Sequence, residues 1–167
     1  ARASLPAVGA PLAWQGAGDR AFLDLTLRRS DGTVISRNQL PLDTPDGTMD
    51  LSVPLVQAGH YVFDAIVQDG KRVLSFGSVP FTIVSERKVD AVVLSQDWAE
   101  IGGRLSGRVT LSGQAGADER LMVSLLDRRD REVARQIVTP GATEASFDIG
   151  VEPWFPMLVE VRATLLV

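Results

Sequence analysis

From Tyr61 to Gln68 the chain alternates without a break: Tyr61, Phe63, Ala65 and Val67 on one side, Val62, Asp64, Ile66 and Gln68 on the other. A strand satisfies a period of two and a helix does not, because successive strand side chains point to opposite faces. The first set holds the aromatic and small apolar groups and belongs on a buried face. Val62 and Ile66 in the second set predict an outer face that is partly covered. Ahead of this strand, Ala58-Gly59 reads as a turn, since glycine tolerates positive φ. Such strands recur at intervals of about ten residues, the rhythm of an all-β sandwich. They cover residues 22–29, 33–40, 48–55 and 73–84, then 89–94, 105–111, 121–126, 132–138, 145–149 and 158–167. Asp31-Gly32 and Asp69-Gly70 are hairpin turns between alternating runs. No long stretch combines helical spacing with helix caps.

Two halves of this pattern correspond. Leu25-Thr26-Leu27 aligns with Val123-Ser124-Leu125 at an offset of 98 (25 to 123), and Asp50-Leu51-Ser52-Val53 with Ser146-Phe147-Asp148-Ile149 at 96 (50 to 146). The offset of 96 also pairs Tyr61, Phe63 and Ala65 with Met157, Val159 and Val161. The reading is two tandem sandwiches, residues 1–86 and 87–167, joined by the charged connector at residues 85–88. A single larger sandwich is the rival. At an offset of 96 the second copy stops before a last strand, and the first copy lacks a full first strand. Open sheet edges of that kind invite strand addition. They predict a segment of a longer protein, or edges completed by another chain, homo-oligomerisation included.

Composition narrows the function. The 167 residues are 45% hydrophobic and 23% charged, ordinary globular usage for one large or two small domains. No apolar run approaches the ~18 residues of a spanning helix. The net charge of −4, with a pI near 5.0, is spread along the chain without a basic stripe. That argues against a nucleic-acid partner and an anionic membrane surface, as the lack of a long apolar run argues against membrane insertion. With no cysteine, disulfides, thiolate metal sites and a cysteine nucleophile are excluded. Residues 1–11, rich in Ala, Pro and Gly, read as a linker or mature N-terminus.

Several stretches resemble known sandwich families. A Tyr two residues before a core position, just after a Gly-containing corner, resembles the tyrosine corner of immunoglobulin-like domains, with Phe63 where antibody domains keep a cysteine. Residues 103–111 (G-R-L-S-G-R-V-T-L) look like an early strand of macroglobulin-like domains. Residues 54–63 (P-L-V-Q-A-G-H-Y-V-F) look like the P-x-G-x-Y strand of bacterial immunoglobulin-like repeats. Residues 152–165 (E-P-W-F-P-M-L-V-E-V-R-A-T-L) are similar to the sandwich modules that flank the catalytic barrel of family-two glycosidases. The resemblance implies all-β, antiparallel, tandem immunoglobulin-like sandwiches in a bacterial extracytoplasmic protein, periplasmic or secreted. It implies modules that space, support or bind rather than catalyse.

Candidate chemistry is sparse. His60 is the only histidine, so any imidazole-dependent site must use it; a solvated turn residue is the plainer reading. Asp43, Asp46 and Asp50 form the best cation candidate, although their spacing departs from a calcium loop and Pro-Asp-Gly turn chemistry explains them as well. Trp154 and Phe155, between two prolines, are candidates for stacking on a sugar ring, and Trp98 for an interdomain plug or a further ligand contact. The run at residues 127–132 (D-R-R-D-R-E) reads as a solvated hairpin tip with local ion pairs, a docking patch being the sharper reading. No nucleophile–base pair or cofactor motif is present, so no cofactor is expected. The resulting expectation is a non-catalytic structural or protein-interaction module, with further domains of its own polypeptide or another protein as partner. A carbohydrate-binding accessory module of a secreted glycoside hydrolase is the alternative.

Overall fold

In a computed structural model that describes residues 2–4, 12–15, 21–51, 53–116 and 118–167, the described residues form strands and no helix. The strands are β1 (Arg2–Ser4), β2 (Leu12–Gln15), β3 (Ala21–Arg29), β4 (Val34–Pro41), β5 (Gly47–Met49), β6 (Gly59–Asp69), β7 (Arg72–Ile83), β8 (Lys88–Leu94), β9 (Arg104–Ser112), β10 (Arg120–Leu126), β11 (Glu132–Val138), β12 (Glu144–Gly150) and β13 (Glu160–Leu166). They belong to two units, Ala1–Pro54 with Gly59–Ile83, and Leu55–Ala58 with Val84–Val167.

In the first unit the sheets run β1-β2-β5 and β4-β3-β6-β7, antiparallel throughout. Alternation dictates what each strand buries. Ala21, Leu23, Leu25 and Leu27 of β3 point inward, as do Tyr61, Ala65 and Val67 of β6, and Leu12 of β2 meets them from the other sheet. Leu12 and Leu23 are fully enclosed, and each such side chain contributes about 1.5–3 kcal/mol. The outer face of β6 is polar where neighbours supply partners. Arg28 Nε donates to Asp64 at 2.7 Å, and Ser78 donates to the same carboxylate. Burial pushes the Asp64 carboxyl up, but these bonds and the Arg28 charge outweigh it and hold it below the usual value.

In the second unit the sheets run β12-β9-β8 and β11-β10-β13. Leu105, Val109, Leu111 and Phe147 from one sheet close on Leu121, Val123, Leu125 and Leu165 from the other. The segment Leu55–Ala58 belongs to this unit, and Val56 and Val167 exchange both backbone hydrogen bonds, at 3.3 and 2.9 Å. Of the strand expected at residues 48–55, Gly47–Met49 is the strand among the described residues, and Ser52 lies outside them.

The two units repeat in backbone detail at an offset of 98. A bulge falls between Leu27 and Arg28 in one and between Leu125 and Leu126 in the other. The hairpin bond Arg29 N to Thr33 O recurs as Asp127 N to Arg131 O, and Gly32 N to Arg29 O as Asp130 N to Asp127 O. Gly32 has φ +93°, and its counterpart Asp130 has φ +57°. Because Leu27 pairs with Phe63 and Leu125 with Val161, the offset also holds for β6 and β13. The counterparts of Tyr61, Phe63 and Ala65 are therefore Val159, Val161 and Ala163, a correction of two residues to the sequence alignment. A slip of two leaves every side chain on its own face, so alternation alone cannot detect it.

Among the described residues the first unit has seven strands, and its first, β1, pairs with β2 but has only three residues against seven in β8, short of a full first strand. Among the described residues the second unit has six, and β13 has no counterpart of β7 beside it.

In each unit an aromatic ring lies over a glycine directly opposite it: Trp14 over Gly47 and Phe147 over Gly107. A Cβ on Gly107 would stand 2.7 Å from the Phe147 ring and 2.6 Å from the Val93 carbonyl oxygen, closer than real Cβ contacts come.

Candidate functional site

The residues singled out in the sequence scatter over the fold. Asp43, Asp46 and Asp50 are exposed around β5, where Thr44 Oγ1 donates to the Asp46 carbonyl at 2.8 Å and Trp14 Nε1 to the Thr44 carbonyl at 3.1 Å. No group of three or more His, Cys, Asp or Glu side chains that could hold a metal forms among the described residues. Gly59 and His60 open β6 instead of forming a turn ahead of it. His60 Nδ1 shares a 2.9 Å hydrogen bond with Thr82 Oγ1 across the strand pair.

Trp154 is 65% exposed, whereas Phe155 packs partly against the core of the second unit. Their rings meet edge to face, 4.7 Å apart at 75°, so together they offer no flat double platform to a sugar ring. Trp98, 62% exposed, lines a cavity of about 130 Å³ with Phe155, Leu94, Val159 and Val161; Trp154 is not among its walls.

The charged run at residues 127–132 lies at a hairpin tip with exposed arginines and a local ion pair between Arg131 and Asp127. The Asp127 carboxylate accepts from the backbone N–H of Arg129 at 2.8 Å and of Arg131 at 3.0 Å, and from Arg131 Nε at 2.7 Å. These donors hold its carboxyl down at about 2. Arg162 reaches over to Asp130 at 2.9 Å.

Sequence reading missed Arg87. It falls in the charged connector at residues 85–88, yet its side chain is 1% exposed. Its Nη1 donates to Glu119 at 3.0 Å, and Nη2 to the carbonyls of Gly141 and Ala142. Its Nε has no partner among the described residues. The guanidinium thus fastens the start of the second unit to two later loops. No pattern signal marks it, because one Arg in a charged run looks like any other.

Where β6 is flanked by β3 and β7, β13 pairs with β10 alone among the described residues. Ala65 is fully buried while its counterpart Ala163 remains partly exposed. The cavity beside Trp98 reaches the core residues Leu105 and Leu125, and exposed Leu158 also lines it.

No protein-family model matches the chain, and no curated protein matches it. Among solved structures it is similar to a tetra-tandem repeat in the extending region of a large adhesion protein, at 16% identity and a TM-score of 0.35. That similarity covers 98% of this chain and 47% of the other, so this chain spans about half its length. It is also similar to a two-domain fibronectin type-III segment from chicken tenascin, at 13% identity and a TM-score of 0.33, covering 96% and 94% of the two chains. By its strand orders the chain is a tandem pair of immunoglobulin-like β-sandwiches.

Proposed function

We propose that this chain is a non-catalytic structural and protein-interaction module of a larger extracytoplasmic protein. The observation that carries the reading is the repetition of one sandwich scheme, down to bulge, hairpin bonds and left-handed turn residue. Tandem copies of a scaffold multiply length and surface rather than build one reaction centre. The extracytoplasmic placement follows the sequence resemblance to bacterial immunoglobulin-like repeats. Among the described residues no helix is long and apolar enough to cross a membrane.

The test is calorimetric titration of the chain with soluble polysaccharides, with tryptophan fluorescence recorded alongside, and incubation with chromogenic glycosides and esters. The expected result is no saturable heat, no quenching and no hydrolysis above buffer. Saturable glycan binding that disappears in Trp154→Ala would replace this reading with the glycan-binding one.

A further inference from the structure

The cavity beside Trp98 in the second unit joins an unpaired carboxylate to two aromatic rings and a deep apolar wall. It measures about 130 Å³ and reaches the buried Leu105 and Leu125. An apolar space of roughly 150 Å³ is enough to hold a benzene molecule. Trp98, Met157 and Leu158, all exposed, line it as well, and Phe155 supplies the second ring. Asp97 is the only charged residue among those lining it. The Asp97 side chain makes no hydrogen bond or ion pair with another described residue.

These walls exclude several classes of ligand. A neutral apolar molecule would cover the Asp97 carboxylate and give it no partner in return, at a cost in desolvation. An anion would face that charge directly. A primary ammonium would bring three N–H donors to walls with one acceptor side chain, and would leave behind the water that satisfied the others. A nitrogen that carries methyl groups instead of hydrogens meets none of these objections. Its charge is spread over methyl groups that pack on Leu105, Leu125 and Val161, and it needs no acceptor. Asp97 attracts it, and so do the negative faces of the Trp98 and Phe155 rings. Pro156, Met157 and Leu158 also line a second, open cavity of about 530 Å³, which carries Arg128, Arg129 and Arg131. Arg131 is answered by Asp127, whereas Arg128 and Arg129 form no ion pair with a described residue. Those two charges favour a ligand whose remainder on that side is neutral or anionic.

We propose that this cavity binds the methylated ammonium group of a small molecule of the choline type, with Asp97 as its counter-charge and Trp98 as its principal ring. The inference goes beyond the module reading and does not depend on it. The same group occurs free and in the head group of phosphatidylcholine, and the cavity recognises what the two share.

The test is titration of the full chain with choline, followed through the methyl NMR signals of Val159 and Val161 and the Trp98 indole signal. Saturable shifts at millimolar choline or below are expected. The neutral carbon analogue, with a tert-butyl group in place of the trimethylammonium, should bind at least about tenfold more weakly. Asp97→Asn, at an exposed position, should weaken choline by a similar factor. Trp98→Leu keeps an apolar wall and should narrow the gap between choline and its analogue to about threefold or less. Equal binding of choline and the analogue to the wild type would overturn the proposal, because the cavity would then select shape alone. So would unchanged binding in Asp97→Asn, or no shift at about 100 mM choline. Phosphatidylcholine vesicles that sediment the chain, and release it to choline, would assign the group to a lipid surface; choline binding without sedimentation would assign it to the free molecule. Glycan binding is read at Trp154, which does not line this cavity, so either result can fail while the other stands.

Discussion

Replacing Arg87 by Met leaves the Glu119 carboxylate, 6% exposed, as a charge with no partner in the interior of the second unit. Breaking a buried pair from one side costs about 3–5 kcal/mol, because the remaining charge is stranded in a poor solvent. That is a large share of the ~5–15 kcal/mol by which a domain is stable. For a unit of this size each kcal/mol lowers the melting temperature by roughly 4–8 °C, so the transition of the second unit should fall by roughly 12–40 °C. The carbonyls of Gly141 and Ala142 lose their donor as well. The double variant Arg87→Met with Glu119→Leu buries no lone charge and should recover at least about 2 kcal/mol relative to the single one. Its residual loss reflects the two carbonyls, at about 1–3 kcal/mol for an unsatisfied buried group. Calorimetry and urea unfolding of wild type, both single variants and the double variant give the four corners of the cycle. A single-variant loss below about 1 kcal/mol would show that water reaches the guanidinium, since exposed pairs are worth no more. A double variant no better than Arg87→Met would show that the stranded charge is not the source of the loss.

The remaining predictions concern turns and close packing. Gly107→Ala should destabilise the second unit by about 1–3 kcal/mol, with part regained on adding Phe147→Leu; an unchanged melting temperature would refute the contact. Gly32→Ala should cost about 1–2 kcal/mol from its left-handed backbone alone, as no other atom lies within 4 Å of the new Cβ, whereas Asp130→Gly at the equivalent place should change stability by less than about 0.5 kcal/mol. Asp127 has a folded pKa of about 2 against the ordinary 3.8, so its contribution is full above pH 4 and lost as pH falls toward 2. Urea unfolding of wild type and Asp127→Asn at pH 5, 3.5 and 2 should give a gap that narrows toward the acid end; a gap constant with pH would contradict the assignment.

Alternation made most strands and their inward residues legible, including Leu23, Leu25 and Leu27 of β3 and Leu121, Val123 and Leu125 of β10. Register was not legible, because a two-residue slip along β13 changes no face. β1 has only three residues and too little pattern to announce itself. Of the run expected at residues 48–55 the strand keeps only its start: Met49 and Leu51 pack on the first unit's core, whereas Leu55 is exposed and Val56, just beyond, pairs with Val167. The candidate site shows the same division. Trp98 and Phe155 do share a cavity, but nothing in their spacing revealed that Val159 and Val161 complete it. Arg87 shows the limit most plainly, since its burial depends on loops more than thirty residues away.

The ring-over-glycine pairs carry a consequence for how sequences of this shape can vary. At position 107 the constraint is twofold: a side chain there needs the space the Phe147 ring fills and also that of the Val93 carbonyl oxygen, 2.6 Å from the Cβ, which belongs to the backbone of β8. A smaller residue at 147 removes only the first obstacle. Glycine should therefore persist at 107 in relatives of this unit while the residue facing it varies in size. A library randomised at both positions and selected for folded protein should keep glycine at 107 and diversify at 147.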